Sequence, residues 1–244
     1  MKNPVFYRVL FYALGLLTLA LGLTLNTKAG LGVSAIISVS YSISLIFDLN
    51  FGDVTLGLYG LFVCIEIVLH LWQDRRRTKK SDPALVHANR ASIKYILLVD
   101  LLQFPLSIVF TRFLNLFSAV LPDIPSGTLG AVPEMLLRIA VVVIAVILTG
   151  IGAAMSLNMR YIPNPGDGIV QAIADCIHKS VGFTKNCFDL VNISFALAIS
   201  LVFTGGLGGV GIGTVIAVIG VGRSVAVFNH FTYNRMKRLA GVED

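Results

Sequence analysis

The chain has few charged residues for its length. Asp, Glu, Lys and Arg make up 13% of its 244 residues, whereas a soluble domain carries about 25%. A surface this poor in charge excludes a soluble domain, because most of the surface would face water without enough polar groups. Apolar residues make up 56% of the chain, and the mean hydropathy is +0.84. We therefore expect the lipid bilayer to be the main solvent and partner of this protein.

Motifs that carry chemistry are also scarce. The three cysteines, Cys64, Cys176 and Cys187, have no CxxC spacing, and the four histidines have no metal-ligand spacing. Residues 206–211 formally match GxGxxG, but no βαβ unit surrounds them. No nucleophile–base pair or phosphate loop is present. We expect no enzyme activity, no cofactor and no metal. Most of the basic residues lie between the apolar runs, so the net charge of +6 does not indicate nucleic-acid binding.

Six apolar runs dominate what is present. Each is close to the roughly 20 residues that cross a bilayer as a helix. Backbone groups in lipid must satisfy their own hydrogen bonds, so spans of this kind are helical. The runs are residues 5–25, 54–72, 95–121, 135–157, 188–203 and 210–228. The sequence predicts an all-α, polytopic membrane protein with about six spanning helices.

The basic residues predict the orientation in the cell (inner) membrane. The densest run, residues 74–94, is expected to be cytoplasmic, as are the amino and carboxyl termini. The loop at 121–134 has acids but no Lys or Arg, and is expected to be external. These sides agree if residues 33–49 and 162–185 each enter and leave on one side; the alternative is that the orientation rule fails. We therefore expect two broken or re-entrant segments besides the six spans.

An ungapped comparison of the chain with itself, shifted in residue number by 132 (157 − 25), indicates an internal repeat. At that shift Leu25, Asn26 and Lys28 fall on Leu157, Asn158 and Arg160. The match lies after the first long helix of each half and before the broken segment. Three crossings per half would make the halves inverted, which is typical of secondary transporters. We predict a first membrane repeat at 1–120, an external linker at 121–134 and a second repeat at 135–244.

Three stretches resemble the YczE/YitT-like group of bacterial membrane proteins. They are AGLGVSAIISVSYSIS at 29–44, NPGDGIVQAIAD at 164–175 and GGLGGVGIGTVIAVIGVGRSVAVF at 205–228. The first departs from that group's pattern, because Ser34 and Ala35 stand where Trp and Asp are expected. The resemblance implies an integral membrane protein, often treated as a transporter, and implies no substrate.

The broken segments supply the candidate binding residues. Pro163 and Pro165 force extended geometry, and Asp167 is expected to cap a helix that starts near Gly168. Such a helix start can bind a solute in the membrane; the alternative is a capped helix at the interface. Lys28 either reaches the headgroups or guards a mouth of the pathway. The predicted substrate-binding residues are Asn26, Lys28, Gly32, Ser34, Asn164, Pro165, Gly166, Asp167 and Asn192.

Three acids lie within or at the end of apolar runs. Glu66, Asp100 and Asp189 are predicted to couple ion or proton movement, because ionisable residues inside a membrane are commonly functional. The alternative is a structural hydrogen bond between helices. The leading function is a secondary transporter of a small solute by alternating access. Alternatives are a substrate-binding subunit of an ATP-driven importer, or a channel or scaffold; a homo-oligomer is possible in each case.

Overall fold

A computed structural model describes residues 3–78, 83–124, 127, 130–206 and 208–242, with side chains except those of 77–78 and 83–92. Most of the predicted cytoplasmic run at 74–94 therefore lies outside the described side chains. Eight α-helices form the regular structure of the described residues. They are α1 (Pro4–Ala29), α2 (Ala35–Phe47), α3 (Phe51–Thr78), α4 (Pro83–Val120), α5 (Ala131–Asn158), α6 (Pro165–Ile177), α7 (Val181–Thr204) and α8 (Ile212–Ala240).

Six of these helices are long and apolar enough to cross a membrane. They are the whole or the larger part of α1, α3, α4, α5, α7 and α8. Many large apolar side chains on them are exposed, as expected for surfaces that face lipid. The prediction of an all-α, polytopic membrane protein is confirmed.

The other two helices, α2 and α6, have 13 residues each. At 1.5 Å per residue each is about 20 Å long, short of the roughly 30 Å hydrocarbon core. They fall within the two segments predicted to be broken. One detail of the prediction was wrong: the cap of α6 is Asn164, whose side chain accepts from the Gly166 amide, and Asp167 lies in the first turn. Pro165 explains the earlier start, because its fixed φ suits the first helical position.

Backbone geometry around the short helices recurs at a constant difference in residue number. Gly30 and Arg160 both have left-handed φ, and their numbers differ by 130 (160 − 30). Asp48 and His178, which end α2 and α6, also have left-handed φ and differ by 130 (178 − 48). The two segments therefore share a left-handed residue before the short helix and another directly after it.

The starts of α3 and α7 match at the same difference. The Asp53 amide donates to the side chain of Asn50, and the Phe183 amide donates to the side chain of Ser180. Both members of the second pair are numbered 130 higher than those of the first (180 − 50 and 183 − 53). The structural shift is thus 130 rather than the 132 predicted from the sequence. The predicted match of Asn26 with Asn158 does not align equivalent backbone positions.

The chain forms two compact units that do not follow the predicted division at 121–134. Unit 1 comprises residues 1–55, 110–161 and 189–244, and unit 2 comprises residues 56–109 and 162–188. Each unit takes residues from both predicted repeats. The division into membrane repeats describes chain order and stays a prediction.

Within unit 1, α1 and α5 pack closely through glycines. A β-carbon at Gly22 would lie 2.5 Å from the backbone nitrogen of Thr149, and one at Gly152 would overlap the backbone of Leu19. Residue 19 of α1 lies against residue 152 of α5, and residue 22 of α1 lies against residue 149 of α5. Residue numbers therefore rise along one helix as they fall along the other, so the two helices are antiparallel. Gly152 is numbered 130 higher than Gly22 (152 − 22), and Thr149 is numbered 130 higher than Leu19 (149 − 19). The two glycines therefore make equivalent contacts.

Helix α8 also runs antiparallel to α1 in unit 1. The Gly213 amide, at the start of α8, donates to the Leu31 carbonyl just after α1, with an N–O distance of 2.7 Å. At the other end, a β-carbon at Gly241 would lie 3.0 Å from Pro4. The start of α1 and the end of α8 therefore lie at the same end of unit 1.

Helix α2 begins and ends at the opposite end of unit 1. Lys28, at the end of α1, pairs with Asp123 at 2.7 Å, just after α4 ends. The Gly52 amide, at the start of α3, donates to the side chain of Asn115, little more than one turn before the end of α4. Both chain segments that flank α2 thus lie near the end of α4.

Candidate functional site

Unit 2 brings three ionisable side chains together. Glu66 and His70 are separated by one helical turn on α3, so they share one face of that helix. Asp100 comes from α4. Each residue has one side-chain nitrogen or oxygen atom that could bind a metal ion, and these three atoms lie within 4.8 Å of one another. We call these three residues the acid–histidine cluster.

Hydrogen bonds fix the geometry of the acid–histidine cluster. His70 Nδ1 lies 2.7 Å from Asp100 Oδ2. Gln103, one turn beyond Asp100 on α4, donates from Nε2 to Glu66 Oε1 at 2.8 Å. Glu66 and Asp100 are each 2% exposed and Gln103 is fully buried. Two neighbouring helices therefore hold two buried carboxyl groups and an imidazole in contact.

Some polar atoms of this site have no partner among the described residues. They are Glu66 Oε2 and Gln103 Oε1. Among the described side chains, neither Glu66 nor Asp100 forms a salt bridge with a lysine or arginine. A buried carboxylate is costly unless it is paired or coordinates a metal ion. The site is therefore incomplete as a purely structural network.

Helix α6 closes against the cluster through a glycine. A β-carbon at Gly168 would lie 2.7 Å from both carboxylate oxygens of Glu66, so a larger residue would displace that side chain. A cavity of about 190 Å³ adjoins this contact. It is lined by Glu66, His70, Asp100, Gly168, Gln171, Pro163 and three residues of α4.

The predicted substrate-binding residues of the second broken segment lie in unit 2 with the cluster. Asn164, Pro165 and Gly166 are buried at the start of α6. Asp167 is half-buried in the first turn, directly before Gly168. The cavity lining includes Pro163 and Gly168 on either side of these four residues.

The remaining predicted binding residues lie in unit 1. Asn26 is 1% exposed, and neither atom of its side-chain amide has a hydrogen-bond partner among the described residues. Lys28 pairs with Asp123 rather than standing free. Ser34 precedes α2 without making a side-chain cap. Gly32 has left-handed φ, and a β-carbon there would overlap the start of α8.

The third predicted coupling acid also lies in unit 1. Asp189 is 6% exposed and Asn192, about one turn further along α7, is 5% exposed. They share a buried face of that helix. The sequence predicted a coupling role for Glu66, Asp100 and Asp189 because all three lie in or at the end of apolar runs. The structure brings Glu66 and Asp100 together in unit 2.

His70 and Gln103 were missed as site residues. The histidine was passed over because no second histidine or cysteine follows at metal-ligand spacing. Its spacing of four from Glu66, on an apolar helix, was the available signal. Gln103 stands three positions after Asp100, which gives the same signal on α4.

The fold and the cluster together define a polytopic α-helical membrane protein with ionisable side chains buried inside apolar helices. A family model matches residues 6–230. The chain belongs to that family, DUF6198, whose members have no known function. No curated protein and no solved structure matches the chain. The narrower resemblance to the YczE/YitT-like group stays a prediction.

Proposed function

We propose that this protein is a secondary transporter of a small solute, built from two inverted repeats and working by alternating access. The observation that carries the proposal is the antiparallel packing of α1 and α5 through Gly22 and Gly152, which occupy equivalent positions of the two helices. Two like helices that run in opposite directions are expected of halves inserted upside down to one another.

The short helices support the same proposal. In transporters with inverted repeats, interrupted helices at matching places of the two halves form the substrate site. Here α2 and α6 stand at matching places, and each begins near an extended residue, Ser34 or Asn164. The start of α6, the positive end of its helix dipole, lies near the cavity, which suits an anionic or polar group of a solute.

The charge distribution supports the proposed orientation. The start of α1 and the end of α8, with Lys237 and Arg238 in its last turn, are placed in the cytoplasm by the positive-inside rule. The two chain segments that flank α2, which lie near the end of α4, are then on the external side. The inverted repeat makes α6 its cytoplasmic equivalent. We propose the cell membrane as its location.

The acid–histidine cluster is the coupling site in this proposal. Glu66 and Asp100 exchange a cation with the aqueous phases, and His70 shares the charge through its contact with Asp100. Gly168 on α6 touches the Glu66 carboxylate. A movement of α6 on solute binding therefore changes the surroundings of the cation.

Ligand screening followed by transport tests this proposal. Purified protein is screened by thermal shift against a metabolite library, and each stabilising compound is then offered in radiolabelled form to proteoliposomes without ATP. We expect uptake that saturates with concentration. Asp167→Asn is expected to weaken binding, and Glu66→Gln to uncouple uptake from ion gradients. Glu134→Gln, in the first turn of α5 within unit 1, is the control.

Three results would contradict the proposal. A conductance that does not saturate indicates a channel. Uptake that appears only after ATPase subunits copurify indicates an importer subunit. Compounds that bind equally well to Asp167→Asn and Asn164→Ala variants, and are never taken up, indicate that α6 is not a transport site.

A further inference from the structure

We propose that the acid–histidine cluster binds a first-row divalent transition-metal ion through Glu66, His70 and Asp100. The binding itself is a property of unit 2. That the ion is a coupling ion or a substrate rests on the proposed transport function.

The first argument is the geometry of the ligand atoms. A carboxylate oxygen of Glu66, an imidazole nitrogen of His70 and a carboxylate oxygen of Asp100 lie within 4.8 Å of one another. A Zn²⁺ ion bound about 2.0–2.2 Å from each atom requires ligand atoms roughly 3–4 Å apart. The 4.8 Å limit on the observed separations lies about 1 Å above that spacing, and side-chain rotation would close the difference on binding.

The second argument is the unpartnered carboxylate oxygen. Glu66 is 2% exposed, and its Oε2 atom has no hydrogen-bond partner among the described residues. Glu66 also lines the cavity of about 190 Å³ that adjoins the cluster. A buried carboxylate oxygen without a partner, in a side chain that lines a cavity, is a free ligand position.

The charges favour a divalent ion. The ligand forms that bind a metal ion, two carboxylates and a neutral imidazole, together carry two negative charges, which one divalent ion neutralises. Among the described side chains, no lysine or arginine pairs with either carboxylate.

The mixed donor set selects the kind of metal. Imidazole with carboxylate ligands suits zinc, cobalt, manganese and iron, whereas Ca²⁺ prefers six to eight oxygen ligands. Three protein ligands leave coordination positions open, as in sites where a metal exchanges ligands. The adjoining cavity has room for waters to fill them, since a water occupies about 30 Å³ in the liquid.

Gln103 is a positioning residue for the Glu66 ligand in this proposal. Its Nε2 atom donates to Glu66 Oε1 at 2.8 Å and holds that carboxylate towards the other two ligands. Loss of such an outer contact commonly lowers metal affinity by about 10–100-fold. Gln103→Leu should therefore weaken binding while leaving all three ligands in place.

Cobalt binding to the full chain tests the inference. Tag-free protein in lipid nanodiscs is stripped with EDTA, dialysed and titrated with Co²⁺, and the visible d–d absorption and isothermal heat are recorded. We expect one Co²⁺ per chain, displaced by Zn²⁺ and not by excess Mg²⁺ or Ca²⁺. Wild-type protein that gives no d–d bands and no saturable heat overturns the inference, whatever the behaviour of the variants.

Matched variants locate the site. Glu66→Gln, His70→Asn and Asp100→Asn should each weaken Co²⁺ binding more than Gln103→Leu does, which is expected to lose about tenfold. His230→Ala and Asp123→Asn, which change an exposed histidine and an exposed acid in unit 1, should leave it unchanged. A Co²⁺ signal that survives all three ligand changes in folded protein overturns the assignment.

The transport assay separates this inference from the proposed function. Stoichiometric Co²⁺ binding without any solute or metal uptake in proteoliposomes supports the site and contradicts the transporter. Coupled solute uptake by protein that binds no Co²⁺ supports the transporter and overturns the site.

Discussion

Arg8 and Arg138 make the same hydrogen bond from opposite ends of the α1–α5 pair. Arg8 Nε donates to the Met159 carbonyl at 2.8 Å, and an Arg138 guanidinium nitrogen donates to the Ala29 carbonyl at 2.9 Å. The donor numbers differ by 130 (138 − 8), and so do the acceptor numbers (159 − 29). Each arginine thus binds a carbonyl at the carboxyl end of the other helix, where the helix dipole favours a cation.

Both arginines should contribute to stability. Arg8→Gln and Arg138→Gln each remove the long-range hydrogen bond from a charged donor, a change expected to lower the free energy of unfolding by about 1.5–3 kcal/mol. Arg138→Gln also removes an ion pair with Glu134 and should cost at least as much. Titration with SDS in mixed micelles measures this quantity. Arg223→Gln is the control, because Arg223 is exposed and its side chain donates to Ile219 of its own helix. Equal stability of the Arg8 and Arg223 variants would show that the long-range bond contributes nothing.

The glycines between α1 and α5 should tolerate no added carbon. Gly22→Ala and Gly152→Ala place a methyl group against backbone atoms, and overpacking of this kind costs about 1–3 kcal/mol. Gly57→Ala and Gly222→Ala are matched controls, since a β-carbon at either helical position meets nothing within 4 Å among the described residues. The same SDS titration compares the four variants. If Gly152→Ala were as stable as Gly222→Ala, the close packing of the two helices would be disproved.

The caps of the two short helices should differ. Asn164→Ala removes the side-chain oxygen that accepts from the Gly166 amide, and loss of such a cap costs about 1 kcal/mol. Asn164→Ser should retain most of it. Ser34→Ala, at the equivalent position, should have little effect because Ser34 makes no side-chain cap. Thermal unfolding of the three variants ranks them, and a larger loss in Ser34→Ala would reverse the expected order.

Single cysteines test the inverted arrangement. Leu49 and Lys179 are exposed, follow α2 and α6, and differ in number by 130 (179 − 49). In a background without Cys64, Cys176 and Cys187, Leu49→Cys should react with an impermeant maleimide added outside intact cells. Lys179→Cys should react only after permeabilisation.

Two loop positions calibrate this labelling. Ser126→Cys should label from outside and Asp82→Cys from the cytoplasm. Labelling of positions 49 and 179 from one side would refute inverted repeats. Labelling of position 49 from the side opposite to 126 would show that α2 crosses the membrane.

The sequence predicted the fold well because lipid restricts the choices. Runs such as 135–157 are too long and too apolar to be anything but spanning helices. The positive-inside rule then favoured two interrupted segments, and the structure places α2 in the first of them and α6 in the second. The register of the repeat was missed by two positions. Equivalent backbone turns can be formed by unlike residues, such as Gly30 and Arg160, and a comparison of side chains does not detect them.

The site was only partly predictable. Glu66 and Asp100 were found because an acid in an apolar helix is conspicuous by itself. His70 and Gln103 were not, because their role depends on which faces of α3 and α4 meet. Asp167 was mistaken for a cap, because Asn164 and Pro165 already satisfy the start of α6.

Among the described residues, the acid–histidine cluster has no counterpart at the α7 positions numbered 130 higher than its two α3 members. The α7 residues numbered 130 higher than Glu66 and His70 are Ala196 and Ser200, and neither can ionise near neutral pH. In the proposed transport cycle, an exchange of roles between the two proposed repeats would therefore leave the ion-binding residues in one repeat only. The inward-facing and outward-facing forms would differ in energy, and the concentration of that ion would set the balance between them.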